Sequence, residues 1–179
     1  ANVGLSRAPL GFDVSDEDWD ADMKQNLFGS VWLAREAARR ILKRPREERE
    51  HASLILISSI AGVDAMGTSL TYAASKAGIN HFTRQLAKFT GKEGLRVNAV
   101  APGYITSDMT AGLTDAQREG LLAQTPLGRL GTPEDVAAAV AFLCSPAAAF
   151  ITRAPLSVLR GLGLPFSIPP RSGFPPSAL

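Results

Sequence analysis

The feature that most constrains this chain is an alternation between amphipathic helix patterns and short apolar runs. Residues 16–44 and 72–92 carry apolar side chains at helical spacing, whereas residues 52–57 and 96–101 have the composition of strands that are buried on both faces. Strands separated by helices pair in parallel through helical crossovers. The sequence therefore predicts an α/β fold, with a parallel sheet between two layers of helices.

Local signals indicate where the helices begin and end. Ser15 or Asp16 can cap the first helix, and Pro45 terminates it because a proline disfavours helical backbone at the residue before it. Thr132 can cap a later helix that has Pro133 at its first position, where the missing backbone N–H costs nothing. We expect that helix to run to about residue 144.

The composition favours one globular domain and excludes several other classes. The 179 residues are 45% hydrophobic and 20% charged, and the net charge of +2 is too small for a nucleic-acid-binding protein. Cys144 is the single cysteine, which excludes an internal disulfide and a cysteine-based zinc site, and we expect no metal. No apolar run reaches the 18–20 residues or so that a membrane span needs. Because no signal peptide is visible, we expect a cytoplasmic protein.

Two residues at the start of the second long helix can transfer a proton. Tyr72 and Lys76 lie four positions apart and therefore share a helix face. A nearby ammonium stabilises a phenolate and lowers the pKa of the phenol, which helps it to exchange a proton with a carbonyl or alcohol oxygen. For the bare pair alone, the favoured interpretation is a surface tyrosine beside a solvated lysine.

Further polar and glycine residues are expected at the same edge of the sheet. Ser59 follows the first predicted strand, and Pro102 and Gly103 end the second. Ligands of open α/β sheets bind beyond the carboxyl ends of the strands, so Ser59 should converge there with Tyr72 and Lys76. The alternative for Ser59 is a serine that only caps a turn.

The run Tyr72-Ala-Ala-Ser-Lys76, preceded by Ser59, resembles the active-site signature of short-chain dehydrogenases/reductases. Asn2-Val3-Gly4 resembles the family's Asn-Asn-Ala-Gly motif, and Asn26-Leu27 and residues 96–103 are similar to two further family motifs. The similarity covers residues 1–152 in the family's order and is greatest to 3-oxoacyl-acyl-carrier-protein reductases. It implies a Rossmann-like, doubly wound parallel sheet.

The resemblance also implies roles for single residues. Tyr72 would be the acid in reduction and the base in oxidation, Lys76 would lower its pKa and bond the nicotinamide ribose, and Ser59 would hold the substrate carbonyl. Asn26 would anchor a water of the proton relay, or else be a helix-interior asparagine that satisfies backbone. The implied catalytic residues are Asn26, Ser59, Tyr72 and Lys76. The implied cofactor-binding residues are Asn2, Gly4, Tyr72, Lys76, Pro102, Gly103, Ile105 and Ser107.

By the same resemblance, the chain would be an NAD(P)-dependent oxidoreductase. It would reduce a ketone or a 3-oxoacyl thioester, or oxidise the matching alcohol, by hydride transfer with NADP or NAD, of which NADP is favoured. The substrate would be free or bound to a carrier protein. We expect a homo-oligomer, either a dimer or a tetramer, and no nucleic-acid or membrane partner.

Both ends of the chain depart from the family pattern. No Thr-Gly-x-x-x-Gly-x-Gly loop, which would hold the cofactor phosphates at a helix N-terminus, occurs in the sequence, and the first three strands of the family fold are expected to be missing. Little or no turnover is therefore expected. Arg153 replaces a family glycine, and Pro155 would interrupt the final strand. We expect residues 1–152 to form the domain and residues 153–179 a divergent, Pro-rich tail.

The alternative to catalysis is a structural role. In the family, the helices that correspond to residues 16–44 and 72–92 pack against a second subunit. The chain would then be a non-catalytic subunit or fragment that associates with a full-length paralogue through Phe82 and Leu86. A weaker alternative is the binding of an acidic carrier protein by the exposed basic residues Arg39, Arg40, Arg44 and Lys88.

Overall fold

Three parallel strands, in the order β1–β2–β3, form the sheet in the computed structural model. They are β1 (Ser53–Ile57), β2 (Arg96–Pro102) and β3 (Pro155–Val158). Leu56 of β1 lies opposite Ala99 of β2. The first two strands are within one residue of the predicted runs, since both consist of local apolar sequence with clear ends.

The structure describes residues 4, 11–49, 51–65, 68–107, 110, 112–123, 125 and 127–159. Among the predicted features, Asn2 and the part of the tail after residue 159 lie outside these described residues.

A long helical segment precedes β1. It consists of α1 (Asp16–Met23), one π-helical turn (Lys24–Phe28) and α2 (Gly29–Leu42) in direct succession. Ser15 caps it as predicted, because its side chain accepts a hydrogen bond from the backbone N–H of Asp18. The helix ends two residues before the predicted end at residue 44, and the π turn within it was not predicted.

The remaining helices connect the strands. α3 (Leu70–Thr90) joins β1 to β2, and α4 (Asp115–Ala123) and α5 (Pro133–Cys144) lie between β2 and β3. The cap of α5 forms as predicted, with reciprocal hydrogen bonds between Thr132 and Asp135. No helix in the described part of the chain is long and apolar enough to cross a membrane.

Helices cover both faces of the sheet, which confirms the predicted α/β class. α2 and α3 pack over one face, and α5 packs over the other. Side chains alternate between the faces along a strand, so Val97 and Ala99 belong to the first core and Val100 to the second. The carboxyl ends of β1 and β2 therefore lie side by side between the two helical layers.

The two predicted strands differ in burial. Residues 97–101 of β2 are all buried, as expected for a strand between two neighbours, whereas in β1 only Leu56 is buried and the other four residues are half-buried. Both faces of β1 are nevertheless packed, since Leu54 and Leu56 contact the first core and Ile55 and Ile57 the second, so the predicted burial is met only in part. Within the described sheet β1 pairs with β2 on one side, and the outer edge of β1 has no described strand beside it.

β3 lies inside the segment that the sequence assigned to the tail. Pro155 does not interrupt it. Ala154 accepts a hydrogen bond from Ala99 of β2, Val158 accepts one from Gly103 just after β2, and the nitrogen of Pro155 points to the other side of the strand. Arg153, which replaces the family glycine, has a φ of 67° and keeps the left-handed backbone that a glycine adopts without strain. Packed structure thus continues to Val158, and the division at residue 152 stays a prediction.

Candidate active site

Ser59 lies directly beyond the end of β1 and has two roles. Its side chain caps the short 3-10 turn Ile60–Gly62 by accepting the backbone N–H of Ala61 at 3.2 Å. It also forms a side-chain hydrogen bond with Tyr72 that acts on the pKa of the phenol. The capping role and the proposed contact with Tyr72 are therefore compatible.

Tyr72 and Lys76 project from the first two turns of α3, and Ser69 begins the helix by accepting the N–H of Tyr72. Lys76 is 1% exposed, and its Nζ lies 5.6 Å from the centroid of the Tyr72 ring. The same Nζ donates to the carbonyl oxygen of Ile57, the last residue of β1, at 3.3 Å. The reading of this pair as a surface tyrosine beside a solvated lysine is therefore wrong.

Burial dominates the electrostatics of the pair. The pKa of Tyr72 is raised, chiefly because the half-buried phenol is desolvated, and the hydrogen bond with Ser59 only partly opposes this. Burial lowers the pKa of Lys76 to about 8. The expectation that Lys76 lowers the pKa of Tyr72 is not met, because desolvation outweighs any effect of the ammonium.

The backbone of α3 at Lys76 is clamped by the loop that follows β1. A Cβ on Gly62 would lie 2.4 Å from the backbone carbon of Lys76, so no larger residue fits there. Ser58 donates its hydroxyl to the carbonyl of Lys76 at 3.0 Å, and Asn80 donates its amide to the carbonyl of Gly62 at 2.9 Å. These contacts fix where the Lys76 side chain starts.

Asn26 lies in the π turn of the first helical segment and is fully buried. This turn packs against α3, the helix that carries Tyr72 and Lys76. π-helical turns inside α-helices occur frequently at functional sites. The position of Asn26 is consistent with a role beside α3, and its proposed part in a proton relay stays a prediction.

The expected cofactor residues fall into two groups. Gly4 lies against Tyr72 and Lys76, since a Cβ there would be 3.3 Å from Nζ of Lys76 and 3.8 Å from Cε2 of Tyr72. Pro102, Gly103, Ile105 and Ser107 lie at or after the carboxyl end of β2. Gly103 packs closely on Leu159, and Ile105 bridges to Gly131. Pro102 and Gly103 are half-buried, and Ser107 is exposed.

Sequence reasoning missed the residues that hold this site together. Asp22 and Thr71 are buried and joined by a hydrogen bond of 2.6 Å. A signal for the buried face existed, because small and polar residues recur every fourth position of the first helical segment, at Asp22, Asn26, Ser30, Ala34 and Ala38. The described residues contain no group of three or more His, Cys, Asp or Glu that could hold a metal.

Comparisons with known proteins show the family of the chain. A family model described as Enoyl-(Acyl carrier protein) reductase matches residues 1–162. The 3-oxoacyl-[acyl-carrier-protein] reductase of Escherichia coli (strain K12) is 40% identical over 161 residues, which are 90% of this chain and 64% of that protein. Its Pseudomonas aeruginosa counterpart is 41% identical, over 90% of this chain and 63% of that protein.

A solved structure gives the same result for the fold. The crystal structure of 3-oxoacyl-[acyl-carrier protein] reductase from Brucella melitensis matches with a TM-score of 0.82 and 29% identity, covering 91% of this chain and 61% of that one. The chain thus spans a little under two thirds of the length of these relatives. The family match and the fold agree, and the chain belongs to the short-chain dehydrogenase/reductase family.

Proposed function

We propose that these residues form the proton-transfer part of an NAD(P)-dependent oxidoreductase that reduces a ketone or a 3-oxoacyl thioester. The observation that carries this proposal is the cluster of Ser59, Tyr72 and Lys76 at the carboxyl edge of the sheet. The relatives named as 3-oxoacyl-[acyl-carrier-protein] reductases support the substrate class.

The residues present fit the nicotinamide end of a coenzyme. Gly4 approaches the pair closely, because a Cβ there would lie only 3.3 Å from Nζ of Lys76 and a larger residue would crowd the ammonium. Lys76 would offer a buried ammonium donor, and Tyr72 a phenol, to the ribose of a bound coenzyme. A bound nicotinamide supplies the hydride, and the protein contributes orientation and the proton.

The proton is held at the phenol oxygen of Tyr72. Since burial raises its pKa, this phenol is protonated at neutral pH and ready to act as the acid in the reductive direction. Ser59, which is hydrogen-bonded to Tyr72, presents its hydroxyl next to the same oxygen and would hold the substrate carbonyl there. Lys76, with a pKa of about 8, can exchange a proton near neutral pH. Asn26 would continue this relay.

For the finer assignments, we propose NADPH as the coenzyme, a carrier-bound substrate and a cytoplasmic location. The printed names of the relatives support the carrier-bound substrate. Arg39, Arg40, Arg44 and Lys88 are exposed and available to an acidic carrier, although Arg40 already pairs with Glu36 at 2.8 Å.

The test combines coenzyme binding with turnover. The assays use millimolar NADPH or NADH. We expect NADPH to raise the midpoint of thermal unfolding, and we expect the chain to reduce a 3-oxoacyl thioester with NADPH, with Tyr72→Phe as the inactive control. A cooperative unfolding transition that neither coenzyme shifts, without turnover, would overturn the proposal.

A second candidate function is that of a subunit in an oligomer, either with copies of itself or with a full-length paralogue. Phe28 and Trp32 form an exposed ring pair with centroids 5.8 Å apart, and Leu33 beside them is 58% exposed. Phe82 and Leu86 are not available for this interface, because both pack against the core of this chain. The exposed patch of Phe28, Trp32 and Leu33, at the end of the π turn and the start of α2, replaces them in the proposal.

Light scattering of the purified chain tests this assembly. We expect a dimer or tetramer that Trp32→Glu dissociates, because burying the new carboxylate in an apolar interface is costly. Leu127→Glu, at an equally exposed apolar residue outside the patch, is the matched control and should not change the mass. An unchanged mass for Trp32→Glu would contradict the use of this surface.

A further inference from the structure

Asp22 is a carboxylate that is buried in the interior and has no part in the proton transfer proposed above. It is 1% exposed and lies in the last turn of α1, just before the π turn that holds Asn26. Thr71 donates its hydroxyl to Oδ2 of Asp22 at 2.6 Å, the short distance of a hydrogen bond to a charged acceptor. The bond joins two segments that are 49 positions apart in the chain.

The bond is the last of a series of contacts through two hydroxyls that starts at the backbone N–H of Tyr72. The backbone N–H of Tyr72 donates to Oγ of Ser69 at 3.4 Å, and that oxygen lies 3.4 Å from Oγ1 of Thr71. Thr71 has a single hydroxyl proton, which it gives to Asp22, so in the contact between the two hydroxyls Ser69 is the donor. The donors therefore all point towards the carboxylate of Asp22.

This network connects the two helices that carry the proposed catalytic residues. Asp22 lies four residues before Asn26 on one helix, and Thr71 is next to Tyr72 and five residues before Lys76 on the other. The Asp22–Thr71 bond therefore ties the helical segment that carries Asn26 directly to the start of α3.

We propose that the Asp22–Thr71 hydrogen bond is a positioning device, which holds Asn26 and its helix in one register against Tyr72 and Lys76. This inference rests on the proposed function for its effect on turnover. Asp22 and Thr71 are positioning residues and not catalytic residues, since they act through the helices and not on a substrate.

The test needs a variant that removes the bond and still folds. Thr71→Val leaves the buried carboxylate of Asp22 without this donor and is expected to be unstable. The double variant Asp22→Leu/Thr71→Val replaces both partners with apolar groups of similar shape, a change that is often nearly neutral for stability. Thr71→Ser keeps the hydroxyl and is the matched control.

The first readout is the titration of Lys76, which does not depend on turnover. The chain has five lysines, and isotope-labelled lysine NMR with Lys76→Arg assigns the Lys76 signal. In the wild type we expect Lys76 to titrate near 8. In the double variant, a shifted helix admits water, and the pKa should rise by about one unit towards its ordinary value. Thr71→Ser should titrate like the wild type.

The second readout is turnover with NADPH and a 3-oxoacyl thioester. We expect the double variant to lower kcat by about tenfold to a hundredfold with little change in KM. The control Thr71→Ser should keep the kcat of the wild type. A Lys76 titration that is the same in the wild type and in the folded double variant would overturn the positioning role. A wild type with neither turnover nor a coenzyme-dependent shift of the unfolding midpoint would instead overturn the proposed function, and the Lys76 titration would still decide the positioning role.

Discussion

The long helical segment before β1 has two unlike ends, although one buried stripe runs through both. Towards its start the stripe consists of Asp22, Asn26 and Ser30, and further along it consists of Ala34 and Ala38. The polar end faces the helix turns that carry Tyr72 and Lys76, and the alanine end belongs to the apolar core. Hydrogen bonds are directional and fix a geometry, whereas alanines let helices approach closely without fixing a register.

The two ends of the segment serve different purposes. At the polar end Asp22 and Lys76 are both buried, and burying their charges costs free energy that apolar side chains would not cost. The apolar end, with Ala34 and Ala38, packs into a hydrophobic core that also contains the fully buried Leu95 and Ile79. We therefore expect substitutions at the polar end to change activity and the titration of site residues, and substitutions at the apolar end to change stability.

The largest effect is expected for Tyr72→Phe, at the polar end. Removing the phenol oxygen removes the proton donor, so kcat for reduction should fall about a thousandfold. The free energy of unfolding should change by about 1 kcal/mol or less, since one hydrogen bond with Ser59 is lost. Steady-state kinetics and urea unfolding measure the two quantities. A loss of stability as large as the loss of activity would remove the contrast between the ends.

Leu95→Ala tests the hydrophobic core into which the apolar end packs. Leu95 is 0% exposed and lies just before β2, at the end of the sheet away from Ser59. Deleting its side chain should leave a cavity and lower the free energy of unfolding by about 3 kcal/mol. The kcat of the folded fraction should stay within about twofold of the wild type. A kcat that fell with stability would show that the two ends are not independent.

The pH dependence of stability sharpens the comparison at Lys76. Its folded pKa of about 8 lies below the ordinary value of 10.5, so between these pH values the unfolded state binds more protons than the folded state. The stability of the wild type relative to Lys76→Met should therefore rise with pH across this window, by up to about 1.4 kcal/mol per pH unit. Below pH 8 the difference should be flat. Urea unfolding of both proteins at several pH values measures it.

Ser30→Ala tests the boundary between the two ends. Oγ of Ser30 and Oγ1 of Thr83 are buried, and neither has a hydrogen-bond partner among the described residues. Removing a buried hydroxyl without a partner, in a helix that favours alanine, should stabilise the protein by about 1 kcal/mol. Thr83→Val should act in the same direction. Destabilisation by both variants would indicate that a buried water satisfies these hydroxyls.

The smallest effect is expected for Arg153→Gly, which lies outside both ends. Arg153 has a φ of 67°, a conformation that costs a residue with a Cβ but not a glycine. Part of this gain is offset by the greater flexibility of glycine in the unfolded chain, so the net stabilisation should be about 0.5–1 kcal/mol. Thermal unfolding measures it. A lower midpoint for the glycine variant would contradict the strain at this position.

Features that depend on neighbouring residues in the sequence were predicted well. The strand β2, the capped helix α5 and the shared face of Tyr72 and Lys76 all follow from local patterns of apolar, capping and proline residues. These patterns act within a few residues, so their outcome does not require knowledge of the fold.

Features that depend on contacts between distant segments were missed. The Asp22–Thr71 bond, the half-burial of β1 and the raised pKa of Tyr72 arise only when separate elements pack together. The sign of the Tyr72 shift is the clearest case, because the neighbouring ammonium suggested a lowered pKa and desolvation by the fold produces a raised one. The π turn around Asn26 also left no signal in the local apolar spacing.

The central claim is that Tyr72, at the polar end, supplies the proton in a reduction whose hydride comes from NADPH. The most direct test gives the chain NADPH with deuterium on the transferable position, a 3-oxoacyl thioester as substrate, and mass spectrometry of the product. We predict one deuterium on the new alcohol carbon with the wild type, formed about a thousandfold more slowly with Tyr72→Phe. No deuterium transfer by the wild type, or equal rates for the two proteins, would contradict the claim.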